Sequence, residues 1–284
     1  MPVPTGGCVG YCSVTQFESQ MSAPSELSQT PSLDDVRRAI DIVDDGLLEL
    51  LEKRISLVDG VIAAKANEPT GQGSPLRPVR EMQILRRLIA ARDQADPQLL
   101  VRLWRTIVTE ATLMQGVITV HVSRNTAQTI GHRLRIRDHF GRFPVEEWRD
   151  PGQAMMQVNA NPSDICIVET ESDWVEPFVE GAAGRASVIA GLPAVSEGAM
   201  PKLLVLGVAP TPATGEDETL LITKGNLPRD FSPQPIWQLK AGPYRLSALA
   251  GWYSEHETPL VGTARSNPGL GLRVAGRYAS AIEV

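Results

Sequence analysis

Arg54 is the side chain most in need of a reason. It interrupts a series of apolar residues, Leu33, Val36, Ile40, Val43, Leu47, Leu50, Leu57 and Val61, whose spacing of three and four marks one face of a helix packed on another helix. A buried guanidinium is costly unless an anion meets it. Arg54 therefore either grips an anionic ligand or closes an ion pair across an oligomer interface. At about 100° per residue, Lys65 falls within roughly 20° of Arg54 around the helix axis, some three turns along. The two can serve one site. By the same arithmetic Arg37 points about 100° away from Arg54, so it serves something else, or the same kind of site on another chain. Arg80 with Glu81, and then Gln115, add further groups downstream. Taken singly, Arg37, Arg38, Arg80 and Glu81 read as solvated surface.

The elements that must position these groups are helices. Ser32 offers a hydroxyl cap, and Asp34 and Asp35 put negative charge in the first turn, so helix one starts there. Running from Leu33 to the polar break after Lys65, it would be ~50 Å long, although Gly46 and Gly60 each cost roughly 1 kcal/mol against alanine. Such length implies burial against a second chain. Pro69, Gly71, Gly73 and Pro75 form a loop, after which Pro78 suits the first position of helix two, carrying Ile84, Leu85, Leu88 and Ile89. Asp96 and Pro97 repeat the signal for helix three, whose apolar series is Leu100, Leu103, Trp104, Ile107, Val108, Ala111 and Met114, with Gln115 near its end.

Beyond residue 117 the texture changes to short apolar runs between Gly and Pro: Leu134 to Ile136, Ile165 to Val168, Leu203 to Val208, Leu220 to Thr223 and Leu272 to Val274. These read as strands. The expected organisation is a disordered tail over 1–31, an all-α three-helix domain over 32–118 forming an intertwined dimer, and an α/β or α+β region over 125–284. Met21, after an opening rich in Ser, Pro and Gly, is a second candidate start.

Composition narrows the function. The 284 residues are 42% hydrophobic, enough for an ordinary core, and the net charge of -6 comes with no basic tract able to follow a phosphate backbone. Nucleic acid is not an expected partner. No apolar run approaches the roughly 20 residues needed to span a bilayer, and the first residues lack the pattern of a secretory signal, so a cytoplasmic protein is expected. Cys8, Cys12 and Cys166 make neither a disulfide framework nor a zinc site. No metal or cofactor is called for.

The run Leu33-Asp34-Asp35-Val36-Arg37-Arg38-Ala39-Ile40-Asp41, followed by Asp44, Leu47-Leu48, Leu50-Leu51, Arg54 and Lys65, resembles the first helix of the all-helical chorismate mutases. Arg80-Glu81 is similar to that family's Arg-Glu pair, and Trp104, Ile107 and Gln115 fall at matching positions of its last helix. The likeness covers about residues 33–118. It implies rearrangement of chorismate to prephenate, in aromatic amino-acid biosynthesis, by a homodimer without cofactor. In that reading Arg54, with Arg37 of the partner chain, holds the substrate carboxylates, Lys65 and Gln115 donate to the ether oxygen, Glu81 accepts from the ring hydroxyl, and Arg80 sets the local field. Ala111 stands where many members have serine near the ring carboxylate, and Arg77 where the residue is often acidic, with its main-chain N–H still available to the hydroxyl. The same scaffold also suits an isochorismate pyruvate-lyase or an inactive dimerising ligand sensor.

The second half faintly resembles prephenate dehydratase, through Asp164 to Ser172 and through Leu203 to Gly207 followed by Thr214 to Leu220. Pro201-Lys202-Leu203 stands where that family has its Thr-Arg-Phe signature. The implied region is catalytically silent, the alternative being a bifunctional mutase and dehydratase. The last 50 or so residues, from about 235, faintly resemble a small regulatory module, which implies an amino-acid effector. His121, His132, His139 and His256 are read as surface or satisfied histidines, Gly181 to Gly184 and Gly269 to Gly271 as turns, and Trp148, Trp174, Trp237 and Trp252 as core.

Overall fold

The computed structural model describes residues 31–66 and 74–283. The expected tail up to residue 30, with the candidate start at Met21, lies outside the described residues, as does the loop at 67–73. The chain forms two compact units, one reaching Arg54 and the other Ile55–Val284.

α1 is one unbroken helix, Leu33–Ala66. Its first turn is closed reciprocally. Ser32 Oγ accepts from the Asp35 amide at 3.2 Å, while Asp35 Oδ2 accepts from the Ser32 amide at 3.3 Å, satisfying donors that a helix start leaves open. α2 (Pro78–Ala91) begins on its proline, and α3 (Pro97–Gln115) does the same with Asp96 Oδ1 accepting from the Leu99 amide at 3.0 Å.

In the second unit, nine strands among the described residues make one mixed sheet. They are β1 (Val120–Ser123), β2 (Val145–Trp148), β3 (Ile165–Glu169), β4 (Ser187–Leu192), β5 (Leu203–Gly207), β6 (Asp217–Lys224), β7 (Trp237–Ala241), β8 (Tyr244–Ala250) and β9 (Arg273–Ala279), in the order β2-β1-β3-β5-β4-β9-β6-β8-β7. β1 lies parallel to β2 and β3, reached through α4 (Arg124–Gln128), α5 (Ile130–Phe140) and α6 (Pro151–Ala160). β3, β5 and β4 then pair antiparallel, as do β9, β6, β8 and β7. The two sets meet where β4 and β9 approach in parallel at Val188 and Gly276. A Cβ at Gly276 would overlap the Val188 backbone, so this junction needs a residue without one.

Strands covered on both faces carry near-continuous apolar runs, and their alternation sorts side chains between two cores. Ile165 and Ile167 join Leu203, Val205, Ile136 and Phe140 on one face. Cys166 and Val168 join Leu204, Leu206, Met155 and Trp174 on the other. α2 is built into this body: Met82, Leu85 and Ile89 pack with Ala194, Ala279 and Ile282.

Two local expectations are corrected. Leu134 to Ile136 lies in α5, not in a strand. The alternation Leu134-Arg135-Ile136-Arg137 imitates a strand, but Ile136 and Phe140, four apart, are the buried pair while Leu134 is exposed, which is helical spacing. Trp252 is exposed, not core: Arg277 lies 4.6 Å over its ring, and its Nε1 donates to Thr211 O at 2.8 Å. Among the described residues no helix is long and apolar enough to cross a membrane.

Candidate active site

The most heavily buried charge on the three N-terminal helices is one that the apolar spacing hides. Arg105, on α3, keeps 4% of its side-chain exposure and donates from Nη1 to Glu81 Oε2 at 2.5 Å, the carboxylate itself being only 12% exposed. Burial lowers the Arg105 pKa, and the Glu81 charge opposes that shift. The same guanidinium reaches Met82 Sδ from Nη2 at 3.3 Å, and together with burial it holds the His139 imidazole well below its ordinary range. Glu81 is thus fixed between α2 and α3, with Ile84, Leu85, Trp104 and Val108 around the pair. The signal in the sequence was a second stripe on α3: Arg105, Thr109 and Thr112, at spacings of four and three, are its fully buried residues. The apolar series includes Leu103 and Met114, which are exposed.

The remaining expected residues divide by element. On α1, Arg37 is exposed, with Nη1 3.2 Å from Asp34 Oδ1. Arg54 is half-buried, and burial lowers its pKa; among the described residues its guanidinium makes no ion pair. Lys65 lies in the last turn of α1, and its side chain is outside the described residues. On α2, Arg80 is exposed beside Glu81. Arg77, just ahead of it, turns its Nη1 back to Ser74 O at 2.5 Å and Leu76 O at 2.7 Å, so its side chain braces the preceding loop. On α3, Ala111 and Gln115 are half-buried one turn apart, and Gln115 Nε2 donates to Ala111 O at 2.9 Å.

Elsewhere one histidine is satisfied and another is not. Buried His121 has Nε2 3.1 Å from Asp164 Oδ2, and its Nδ1 accepts from Trp148 Nε1 at 3.1 Å. His132 Nδ1 lies 3.3 Å from Glu169 Oε1 but is buried without a hydrogen bond, contrary to the expectation of a satisfied group. Burial pushes the Cys166 thiol up, leaving it inert. Among the described residues no group of three His, Cys, Asp or Glu is placed to hold a metal.

The Arg105–Glu81 pair thus fixes one carboxylate between α2 and α3. The stretch over α1, α2 and α3 matches one family model. The family that it matches, over residues 36–116, is chorismate mutase type II. No curated protein matches the chain. Among solved structures, the chain is similar to prephenate dehydratase from Streptococcus mutans, at 12% identity and a TM-score of 0.37, over 59% of this chain and 100% of that one. It is also similar to GqqA, described as a novel type of quorum quenching acylase, at 9% identity and a TM-score of 0.39, over 57% and 95%.

Proposed function

We propose that the chain acts as a chorismate mutase, working in the cytoplasm as a homodimer, with a C-terminal region that does not dehydrate prephenate. The observation that carries this reading is the chorismate mutase type II match over the stretch containing α1, α2 and α3. The dimer is supported by α1, where Ile40, Val43, Leu47, Leu50, Leu57 and Val61 are all exposed in the single chain. A second copy would cover that seam and bring its own Arg37.

Chorismate carries two carboxylates, and guanidinium groups meet carboxylates with paired, directional hydrogen bonds. Arg54 and the Arg37 contributed by the second copy take that role. No nucleophile or proton transfer is required. The enzyme holds the folded diaxial conformer and stabilises negative charge growing on the ether oxygen as the C–O bond breaks. Lys65 and Gln115 donate to that oxygen, which requires Gln115 to release Ala111 O. Glu81 accepts from the ring hydroxyl through the oxygen that Arg105 leaves open, and Arg80 adds positive field. An ammonium and an amide donate without titrating near neutrality, so activity should be flat across that range.

The deciding experiment incubates the purified chain with chorismate and follows prephenate and phenylpyruvate separately. Prephenate accumulating without phenylpyruvate is the expected result. No prephenate, or phenylpyruvate formed from it, overturns the reading, as does pyruvate released when isochorismate is supplied in a parallel incubation.

A further inference from the structure

A cleft of about 470 Å³ opens beside α2, over the ends of β4 and β9. That is within the size of roughly 300–1,000 Å³ common for small-molecule sites. Its apolar walls are Pro193, Ala199, Met200, Pro201, Ile236 and Ile282. The deepest carboxyl group in its lining is Glu218 on β6, 7% exposed. Glu218 Oε2 accepts from Tyr278 Oη at 2.8 Å and Trp237 Nε1 at 3.3 Å, both neutral donors. Oε1 has no hydrogen-bond partner among the described residues. Burial raises the pKa of this carboxyl while the two donors oppose the shift, as expected of an anion whose counter-charge is missing.

The one cation in the lining does not supply that charge. Arg86, on α2, donates from Nη2 to Ser280 O at 2.8 Å and Glu216 O at 3.0 Å, and its Nε lies 3.0 Å from Glu216 Oε2. Nη2 thus ties α2 to the sheet, while Nε makes no hydrogen bond and is buried beside Glu216, out of reach of the cleft. The other charged lining residues are acidic: Glu283, and Glu197, which takes Arg135 Nη2 at 2.6 Å. The cleft therefore offers a withdrawn carboxylate, apolar walls and no free cation.

We propose that this cleft binds a small organic ammonium, with the charged nitrogen on Glu218 Oε1 and an apolar body against Met200, Ile236 and Ile282. An ammonium brings the positive charge and the donors that Oε1 lacks, and the body displaces water from the walls. An anion of the same shape meets Glu218, Glu283 and Glu197. A zwitterion finds no grip for its carboxylate, because Arg86 is already engaged. The site is separate from the mutase reading and stands or falls without it.

Calorimetry on the full chain with three probes of one shape tests the proposal: 2-phenylethylammonium, L-phenylalanine and 3-phenylpropionate. The ammonium should bind, the zwitterion at least about tenfold more weakly, and the anion not at all. Glu218→Gln keeps an acceptor for Tyr278 Oη and removes the charge, so it should weaken the ammonium at least about tenfold. Met200→Trp fills the cleft, leaves Glu218 in place, and should also abolish binding. If melting curves show that Glu218→Gln does not fold, Met200→Trp and the ranking of the three probes decide the matter. No binding up to about 10 mM, equal binding of the zwitterion or anion, or binding untouched by a folded variant overturns the proposal.

Discussion

α1 and α2 carry the same amphipathic grammar and meet opposite fates. Leu47 and Leu50 of α1 are 54% and 64% exposed, whereas Met82, Leu85 and Ile89 of α2 are buried against residues of the sheet region. The charges divide likewise. Arg54 on α1 has no carboxylate partner among the described residues, while Glu81 on α2 is closed onto Arg105 of α3. Periodicity states that a face will be covered and says nothing of what covers it. Within one stretch matching one family, α2 finds its cover in its own chain, and α1, in the dimer proposed here, finds it in another.

The largest expected effect tests the uncovered side. Leu50→Ala removes a side chain whose burial contributes ~1.5–3 kcal/mol, twice over in a symmetric pair, so dimer affinity should fall by at least ~100-fold. Sedimentation equilibrium over a range of concentrations reads this directly. An unchanged dissociation constant would mean that this seam is not the interface.

Arg105→Leu tests the covered side. Stranding the Glu81 carboxylate between helices should cost ~3–5 kcal/mol, seen as a lower urea midpoint at every protein concentration. Replacing Glu81 by Leu as well should recover much of that loss, because the expense lies in the unpaired charge. A double variant as weak as the single one would show that packing, not charge, was lost.

This contrast also explains what the sequence could and could not show. The helix starts at Ser32, Pro78 and Asp96-Pro97 were legible because caps and prolines act within a few residues. The doubly covered strands at Ile165 and Leu203 were legible from their continuous apolar runs. Arg105 was not. A buried arginine is chosen by the carboxylate it meets, and that carboxylate lies 24 residues earlier on another helix. The short run at Leu134 misled for a related reason: two alternating residues fit either period, and only the burial of Ile136 with Phe140 separates them. The merger of α2 with the sheet through Ala194, Ala279 and Ile282 left no local mark, since small apolar residues suit a loop, a strand or an interface equally.

Lys65→Ala sharpens the comparison on its chemical side. If Lys65 supplies charge to the breaking ether bond, mutase turnover should drop at least ~100-fold, about 2.7 kcal/mol of transition-state stabilisation, with the dimer intact. Steady-state kinetics beside a sedimentation profile separates the two. Unchanged turnover removes Lys65 from the site.

The smallest effect comes from α3, at Ala111. The resemblance places a serine here in many relatives, near the substrate ring carboxylate, so Ala111→Ser should lower KM by about fivefold, equivalent to ~1 kcal/mol, and leave kcat unchanged. The helix itself competes for that hydroxyl. Thr112, the next residue, already returns its Oγ1 to Val108 O at 2.9 Å, and a serine at 111 can do the same toward Ile107 O. Ala111 O is also the acceptor for Gln115 Nε2, so a hydroxyl that turns back along α3 leaves the Gln115 contact as it was. A lower KM therefore means that the carboxylate outcompetes the helix carbonyl and sits within reach of this turn. An unchanged KM with a small loss of helix stability means that the substrate ring lies farther from Ala111 than the resemblance implies.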